Sequence, residues 1–437
     1  MVITRLLLAS LSMDAILAGV TIHQTRQALL GVAKGLGFQD AYCTTLDRIR
    51  QQGGNRSKIG MDTLMWVSHC ERPLRSEELR YALGVEPEVE DFNIYNVPSV
   101  PTILGCTLGL VTIDENTSTV RLLHSTLQEY LRQEPALFLT AHSIMAEICL
   151  AYLNSPSVRE PQPDVDSALA ASPFLEYATC FWGTHAAREV TEPVKSLSLR
   201  LLDRYENHVS ATIFWRNKIR EQHSERDVEG ISGLHCIAFW GGAEIAIAML
   251  EAKRWDVNGC DSRGNTPLMW AIIYGNNRVV ELLLEQVDIR PDAAIRAGRT
   301  VLSFAAELGN EGAAKLLLEC GNVNPDSKDD DGRTPLSFAV EGGHEGVVKL
   351  LLELGDVNPN SPDKHGRTPS SYTTIIGREG VVKLLSEPRT SKFPFPFSLL
   401  TLVLPIFLFT VFLVYYVYGD SRALFHTTHI TRQRLID

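Results

Sequence analysis

The chain has 437 residues, and 52 acidic residues against 41 basic ones give it a net charge of −11. This length exceeds the size at which a single hydrophobic core stops growing, so several domains are expected. The negative charge argues against nucleic acid as the main partner, because an acidic surface repels phosphate. The eight cysteines are scattered singly without a C-x-x-C pair, which indicates reduced thiols and not a disulfide framework.

Residues 1–52 are predicted to be helical. The first apolar run follows Arg5, as it would in a signal peptide, but Asp14 interrupts it. Apolar residues then continue at helical spacing through Leu17 and Val20. This periodicity is typical of an amphipathic core helix, so a signal peptide is the less favoured interpretation.

Residues 56–133 are predicted to form a winged-helix domain. Two helices separated at Pro73 come first, and Ser76 is expected to cap the second. The β-rich runs GLVTID and TVRLLH, separated by the turn-forming residues ENTS, predict a hairpin. A further helix is expected from Ser125, with Gln128 in capping-box spacing.

The predicted winged helix lacks the charge pattern of a DNA-binding domain. A DNA-binding domain of this type needs basic and amide side chains on its second helix. Here that helix carries Glu77, Glu78 and Arg80, and residues 56–132 hold seven basic against eleven acidic residues. Nucleic acid is therefore not expected as a partner, and a transcription factor remains only a third class of function, recognisable by salt-dependent duplex binding.

Residues 134–226 are predicted to form a helical domain. The segments AHSIMAEICLAYL and VKSLSLRLLDRY place apolar residues every three to four positions. The Pro-rich stretch between them predicts a loop.

The second half of the chain repeats itself. A glycine that begins at Gly230 recurs every 34 residues, at Gly264, Gly298, Gly332 and Gly366. Copies at a constant spacing predict a solenoid in which each unit buries its apolar face against the next. In the phrase G-x-T-P-L the threonine is expected to cap a helix and the proline to occupy its first position. A second helix with Val and Leu on one face follows, which in the fourth copy predicts a buried Leu350 and an exposed Lys349, and then comes a hairpin turn.

This phrase resembles the ankyrin repeat over residues 227–388, which implies five helix pairs and a concave groove for a protein partner. The residues that match groove positions of the first helices are Phe239, Trp270, Ile273, Phe304, Glu307, Phe338, Glu341, Tyr372 and Ile375. A ladder of aromatic rings is typical of a surface that binds a peptide or a helix. An equally favoured alternative is that the rings pack against one another within the fold.

Residues 3–220 resemble, in the order of phrases such as GMDTLMWVSHCERPLRSEELRYALGV and AHSIMAEICLAYL, the segment that follows the ATPase in fungal NACHT and ankyrin proteins of the STAND class. The resemblance implies that residues 1–52 are a remnant of a NACHT module. It also implies a winged-helix domain of the family named after GPI inositol-deacylases, which transmits nucleotide state to the repeats. The phosphate-binding loop G-x-x-x-x-G-K-[ST] is missing, since the sequence contains no Gly-Lys dipeptide.

No catalytic residue, cofactor or metal site is expected. The sequence lacks the G-x-S-x-G phrase of lipases. Cys180 with His185, or His69 with Cys70, would need further ligands to hold zinc, and the sequence indicates none nearby.

Residues 397–418 are predicted to form a transmembrane helix. The stretch FSLLTLVLPIFLFTVFLVYYVY carries no charge, and at about 1.5 Å per residue it spans roughly 33 Å, enough for a hydrocarbon core of about 30 Å. Tyr415, Tyr416 and Tyr418 lie together at one end, where interfacial aromatics collect. Basic residues flank both ends and only weakly favour repeats on the cytosolic side. The alternative is a translated non-coding stretch.

The predicted architecture is mainly α, with a winged-helix and helical module, an ankyrin-repeat solenoid and a C-terminal transmembrane helix. The predicted function is a non-catalytic adaptor, tethered to a membrane, whose ankyrin groove binds a protein. The alternative is a fragment of a STAND signalling ATPase whose nucleotide-binding domain is missing.

Overall fold

The computed structural model describes residues 38–159, 164–203, 205–219, 230–354, 357–376 and 379–386. The predicted transmembrane segment, 397–418, and most of the predicted helical remnant, 1–52, lie outside these ranges. Within the described ranges, no helix is both long enough and apolar enough to cross a membrane.

The first part of the chain has the predicted order of helix, helix and hairpin. Its elements are α1 (Phe38–Gln51), α2 (Gly54–His69), α3 (Ser76–Gly84), α4 (Val100–Cys106), β1 (Val111–Ile113), β2 (Val120–Leu122) and α5 (Ser125–Gln133). The strands are antiparallel, with Val111 opposite Leu122. The amide of Val120 donates to the carbonyl of Leu74 at 2.8 Å, which attaches the hairpin to the loop between α2 and α3. Helix α4 has no counterpart in the sequence prediction.

The predicted cap at the start of α3 is wrong. Ser76 is already the first helical residue. The free backbone amide at this end is that of Arg75, and it donates to the carboxylate of Glu78 at 2.7 Å. Glu78 is buried because both of its oxygens also accept from the guanidinium of Arg72, at 2.7 and 2.8 Å. The carboxylate of Glu78, paired with Arg72, therefore has the capping role that was predicted for Ser76.

The predicted capping box at α5 is also wrong. Nδ1 of His124 accepts from the amide of Thr126 at 3.2 Å, so His124 caps the helix and Ser125 is its first residue. The amide group of Gln128 points away from the helix end and donates to the carbonyl of Ser68 at 3.1 Å. The side chain expected to cap α5 thus joins α5 to α2.

The described parts of the predicted helical domain, 134–226, are mainly helical. The α-helices are α6 (Ala141–Asn154), α7 (Pro156–Arg159), α8 (Val165–Ala171), α9 (Leu175–Arg188), α10 (Glu192–Leu202) and α11 (Val209–Phe214). Trp66 of α2 is fully buried, and its ring meets the rings of Phe174 and Tyr177 edge-on at 5.6 and 5.8 Å. The winged-helix part and the helical part therefore share one aromatic core.

Five helix pairs follow, in agreement with the five glycines of the sequence repeat. They are α12 (Gly233–Trp240) with α13 (Ala243–Ala252), α14 (Pro267–Ile273) with α15 (Asn277–Leu284), α16 (Val301–Leu308) with α17 (Glu311–Glu319), α18 (Pro335–Gly342) with α19 (Glu345–Leu354), and α20 (Pro369–Ile376) with α21 (Glu379–Ser386). The predicted threonine caps are confirmed. The hydroxyl of Thr266 accepts from the amide of Met269 at 3.3 Å, and Thr334 accepts from Ser337 at 3.4 Å.

One side chain in each of three consecutive repeats reaches back to the repeat before it. Asn276 donates to the carbonyls of Ala238 and Phe239 at 2.7 and 2.8 Å. The equivalent residue 34 positions later, Asn310, donates to the carbonyl of Ile272 at 3.2 Å. In the next repeat, Nε2 of His344 lies 2.8 Å from the carbonyl oxygen of Glu307. These bonds satisfy carbonyls at the end of the preceding first helix, so they lock each repeat to its neighbour.

The first repeat is joined to the helical part by large rings. The ring of Trp240 lies 4.7 Å from that of Trp182 and 4.8 Å from that of Phe214. Gly183 makes this packing possible, because a Cβ built on it would lie 2.2 Å from the Trp240 ring. The ring contact fixes where the solenoid begins.

We expect Leu351→Ala to destabilise the chain by about 2 to 5 kcal/mol, because Leu351 is fully buried in α19 and its loss leaves a cavity between repeats. The sequence favoured Leu350 as the buried position, but Leu350 is only half-buried. The measurement is the free energy of unfolding in denaturant.

The matched control is Lys349→Ala in the same helix, whose side chain is 61% exposed. It is expected to change stability by less than about 1 kcal/mol. Similar losses for both variants would contradict the assigned packing face.

Candidate partner-binding surface of the repeats

The predicted partner-binding residues all lie on the first helices of the repeats, but they differ in exposure. Three rings are buried, with exposed fractions of 3% or 4%, and they are Trp270, Phe338 and Tyr372. Phe239 and Phe304 are half-buried, whereas Ile273, Glu307 and Glu341 are exposed. The structure does not describe the side chain of Ile375. The partner-binding role of these residues stays a prediction, and the buried rings offer a partner little surface.

The buried rings alternate with arginines. Each arginine follows the repeat glycine, and the guanidinium of Arg299 lies 3.8 Å from the ring centre of Phe304 and 4.2 Å from that of Phe338. Arg333 lies 4.0 Å from Phe338 and 5.2 Å from Tyr372. A cation over an aromatic face is attracted by the ring quadrupole. The rings therefore serve the stacking of repeats, which favours the alternative that they pack within the fold.

Carboxylates hold the arginines of this stack in place. Glu307 accepts from Nη2 of Arg299 at 2.6 Å, and Glu341 is paired with Arg333 in the same way one repeat later. The two glutamates keep side-chain exposures of 47% and 45%, so the pairs lie at the solvent edge of the stack. At this exposure each ion pair adds little stability, and its main effect is to orient the arginine.

The second repeat uses a different contact for its ring. Nε1 of Trp270 donates to Oδ2 of Asp261 at 3.0 Å. The hydroxyl of Tyr372 makes the corresponding bond to Oδ2 of Asp363 at 2.9 Å. Oδ1 of each aspartate accepts two backbone amides of its own hairpin turn, so the carboxylate fixes both the turn and the ring.

Sequence reasoning missed both the arginines and the aspartates. The signal was present, since Arg299, Arg333 and Arg367 follow the repeat glycine at the same spacing, and Asp261 and Asp363 occupy one position of the repeat. An arginine at a fixed distance from an aromatic residue in three consecutive copies predicts a contact between copies.

An exposed strip remains along the ends of the first helices, and we call it the first-helix edge. It consists of Ile273, Tyr274, Glu307, Leu308 and Glu341. Its apolar members are 39% to 48% exposed, which leaves large side chains in water. The ring of Tyr274 packs edge-on against that of Phe239, with 4.5 Å between centres, so the apolar end of the strip continues onto a ring of the preceding repeat.

The second helix of the winged helix, α3, is occupied by internal contacts. Arg80 donates to Glu77 through Nη1 at 2.7 Å and to the carbonyl of Pro98 through Nε at 2.8 Å. Arg72, just before the helix, is held by Glu78. The absence of nucleic acid among the partners remains a prediction from the charge pattern.

Among the described residues, neither Cys70 nor Cys180 belongs to a group of three or more potential metal ligands. All eight cysteines are free thiols, and burial raises the pKa of Cys70 to about 11, so this thiol stays protonated. The ring of His185 instead faces His142 and Glu71. Burial, together with His142 and Arg188, lowers the pKa of His185 to about 3, which keeps its imidazole neutral.

Comparison with known families agrees with the two folds described above. The family model of ankyrin repeats matches residues 204–295 and 302–392, and the model of the GPI inositol-deacylase winged helix domain matches residues 47–144. No curated protein matches the chain. The first ankyrin match begins ahead of residue 227, the boundary predicted from the repeat phrase. The chain therefore contains ankyrin repeats and a winged-helix domain of the GPI inositol-deacylase type.

Proposed function

We propose that this chain is a non-catalytic adaptor that binds a protein partner along the first-helix edge of its ankyrin repeats. The family match to ankyrin repeats supports the proposal, because stacked repeats form extended surfaces that generally bind other proteins. The buried rings leave the first-helix edge as the accessible part of the predicted groove.

The chemistry of this edge indicates the kind of partner. Ile273, Tyr274 and Leu308 supply apolar contact area, and Glu307 and Glu341 add negative charge beside it. Charge complementarity sets association rate and specificity at such a surface. The expected partner is an extended peptide or an amphipathic helix that presents apolar residues flanked by lysine or arginine.

We expect the double variant Glu307→Lys, Glu341→Lys to lose a partner that the wild-type chain captures from an extract of its source. Reversing both charges repels a basic partner and leaves the apolar residues in place. The measurement is capture on the immobilised full-length chain, followed by mass spectrometry, with circular dichroism to show that helicity is unchanged.

The matched control is Glu319→Lys, Glu353→Lys. These glutamates lie on the second helices, and each faces a lysine four residues earlier, at 3.8 and 3.9 Å. The control reverses the same number of exposed charges on another face and is expected to retain the partner. If both double variants capture the same proteins as the wild type, the first-helix edge is not the binding surface.

A second candidate role is supported by the winged-helix match and the resemblance to STAND proteins. In this role the winged helix and the repeats are the signalling part of an ATPase whose nucleotide-binding domain is supplied separately. The packing of Trp240 against Trp182 and Phe214 gives a direct physical route between the helical part and the repeats.

In both roles the chain itself is expected not to bind ATP. The sequence has no Gly-Lys dipeptide and so lacks the loop whose amides and lysine neutralise the phosphates. Calorimetric titration of the full-length chain with magnesium ATP is expected to show no saturable heat, with an authentic P-loop ATPase as the positive control. Saturable binding in the micromolar range would show that the chain holds a nucleotide site of another type.

We further infer that residues 397–418 anchor the chain in a membrane, with the repeats in the cytosol. The support is the uncharged stretch of bilayer length and the tyrosines at its end. Arg378, Lys383, Arg389 and Lys392 precede the stretch, and Arg422, Arg432 and Arg434 follow it, so the charge bias toward this orientation is weak.

Alkaline carbonate extraction tests the anchor. The full-length chain is expected to stay in the membrane pellet, because a transmembrane helix resists alkaline washing whereas an electrostatic contact does not. A variant that ends at residue 392 is expected in the supernatant. Release of both proteins into the supernatant would contradict the proposed anchor and the proposed localisation.

A further inference from the structure

The interface between the winged-helix part and the helical part contains a cluster of side chains that can ligate a metal. Glu71 follows α2, His142 lies in the first turn of α6, and His185 lies near the end of α9. One potential ligand atom from each of the three lies within 4.8 Å of the other two. These residues are far apart in sequence, so no motif of closely spaced ligands predicts the cluster.

We propose that Glu71, His142 and His185 form a binding site for a divalent transition metal, and that the ion it takes is zinc. Two imidazoles and one carboxylate are a ligand set that zinc accepts, with a fourth position left for water. The set contains no thiolate, and His142 and His185 provide the nitrogen ligands that favour zinc over magnesium or calcium.

The distances support convergence on one ion. The Nδ1 atoms of His142 and His185 are 2.9 Å apart, and Nδ1 of His185 is 4.0 Å from Oε1 of Glu71. A zinc ion about 2 Å from each ligand requires ligand atoms that are roughly 3 to 4 Å apart. The Glu71 side chain is 19% exposed on a loop, and it can close the remaining gap once its Oε1 exchanges Arg188 for the ion.

Without a metal, the two Nδ1 atoms must share a proton, because two bare nitrogens at this distance repel each other. Zinc would replace that proton between the rings. The histidine that carried it would move the proton from Nδ1 to Nε2, so both imidazoles stay neutral and no proton is released from the two rings.

The surroundings resemble the outer shell of a metal site. Nε2 of His185 lies 3.0 Å from the hydroxyl of Tyr177, which also accepts from the amide of Glu71 at 3.1 Å. Arg188 pairs with both oxygens of Glu71, through Nη1 with Oε1 and through Nη2 with Oε2 at 3.2 Å. Its Nη1 also lies 3.5 Å from Nε2 of His142, so an ion must displace this guanidinium nitrogen from Oε1 before Glu71 can ligate it. Metal-binding histidines commonly use their second nitrogen for such a bond, and ligating carboxylates are themselves hydrogen-bonded. Tyr177 thus orients two of the three ligands.

Burial separates this cluster from surface histidines that collect metals by chance. The side chain of His185 has no exposed area, while that of Glu71 is partly open to solvent. An ion can therefore enter from the Glu71 side and be held by a buried ligand. A bound ion would tie the loop after α2 to α6 and α9, and so tie the winged-helix part to the helical part.

The test uses the full-length chain after removal of metal with a chelator. Titration with Co²⁺ and with Zn²⁺ is expected to show one bound equivalent, and the cobalt spectrum is expected to show nitrogen and oxygen ligation without thiolate charge-transfer bands. Zinc is expected to raise the thermal midpoint, since an ion that binds only the folded state stabilises it. Absence of saturable binding, or thiolate bands, overturns the proposal even before any variant is made.

The variants His142→Gln and His185→Gln are expected to abolish the single equivalent, and Tyr177→Phe to weaken zinc binding by about 10- to 100-fold. The control is His208→Gln, which removes another buried histidine of the same helical part, one whose Nε2 lies 3.0 Å from the carbonyl oxygen of Leu153. It is expected to keep one equivalent. Unchanged binding in both cluster variants would place the metal elsewhere and overturn the assignment.

Discussion

The contact on which the stacking of the third, fourth and fifth repeats depends is the arginine held between aromatic rings of successive repeats. Arg299 touches Phe304 of its own repeat and Phe338 of the next, and Arg333 repeats this relation with Phe338 and Tyr372. A planar guanidinium stacks on a ring face where an ammonium group would be held less firmly. The spacing between repeats is thereby set by polar and aromatic groups together, and the leucines of the second helices fill the space behind them.

This arrangement explains why the first helices offer a partner less ring surface than a ladder of aromatics suggests. A ring such as Phe338, which lies against an arginine of its own repeat and another of the preceding repeat, has little surface left for a partner. The surface that remains is the first-helix edge, and its two carboxylates also orient the arginines. A basic partner bound at the first-helix edge would compete with those arginines for Glu307 and Glu341.

The repeat architecture could be predicted from sequence because the information is local and copied. Thr266 and Thr334 cap their helices as expected, and the constant spacing leaves no other register for the pairs. The caps in the winged helix were mispredicted because other side chains meet the helix ends. The carboxylate of Glu78, held by Arg72, accepts the amide of Arg75, and His124 caps α5 while Gln128 binds the carbonyl of Ser68 in a distant helix. The cluster of Glu71, His142 and His185 was invisible because its members lie far apart in sequence and meet only in the fold.

The packing of Trp240 over Gly183 bears on how such an array can change length. Because even a methyl group at position 183 would collide with the indole, the first repeat is fitted to one particular surface and cannot be exchanged for a later copy. The third, fourth and fifth repeats share the tripeptide Gly-Arg-Thr, so they are copies that offer one another the same kind of arginine contact. We expect duplication or loss of a copy to be better tolerated among these repeats than at the tryptophan junction, so length should vary at that distal end.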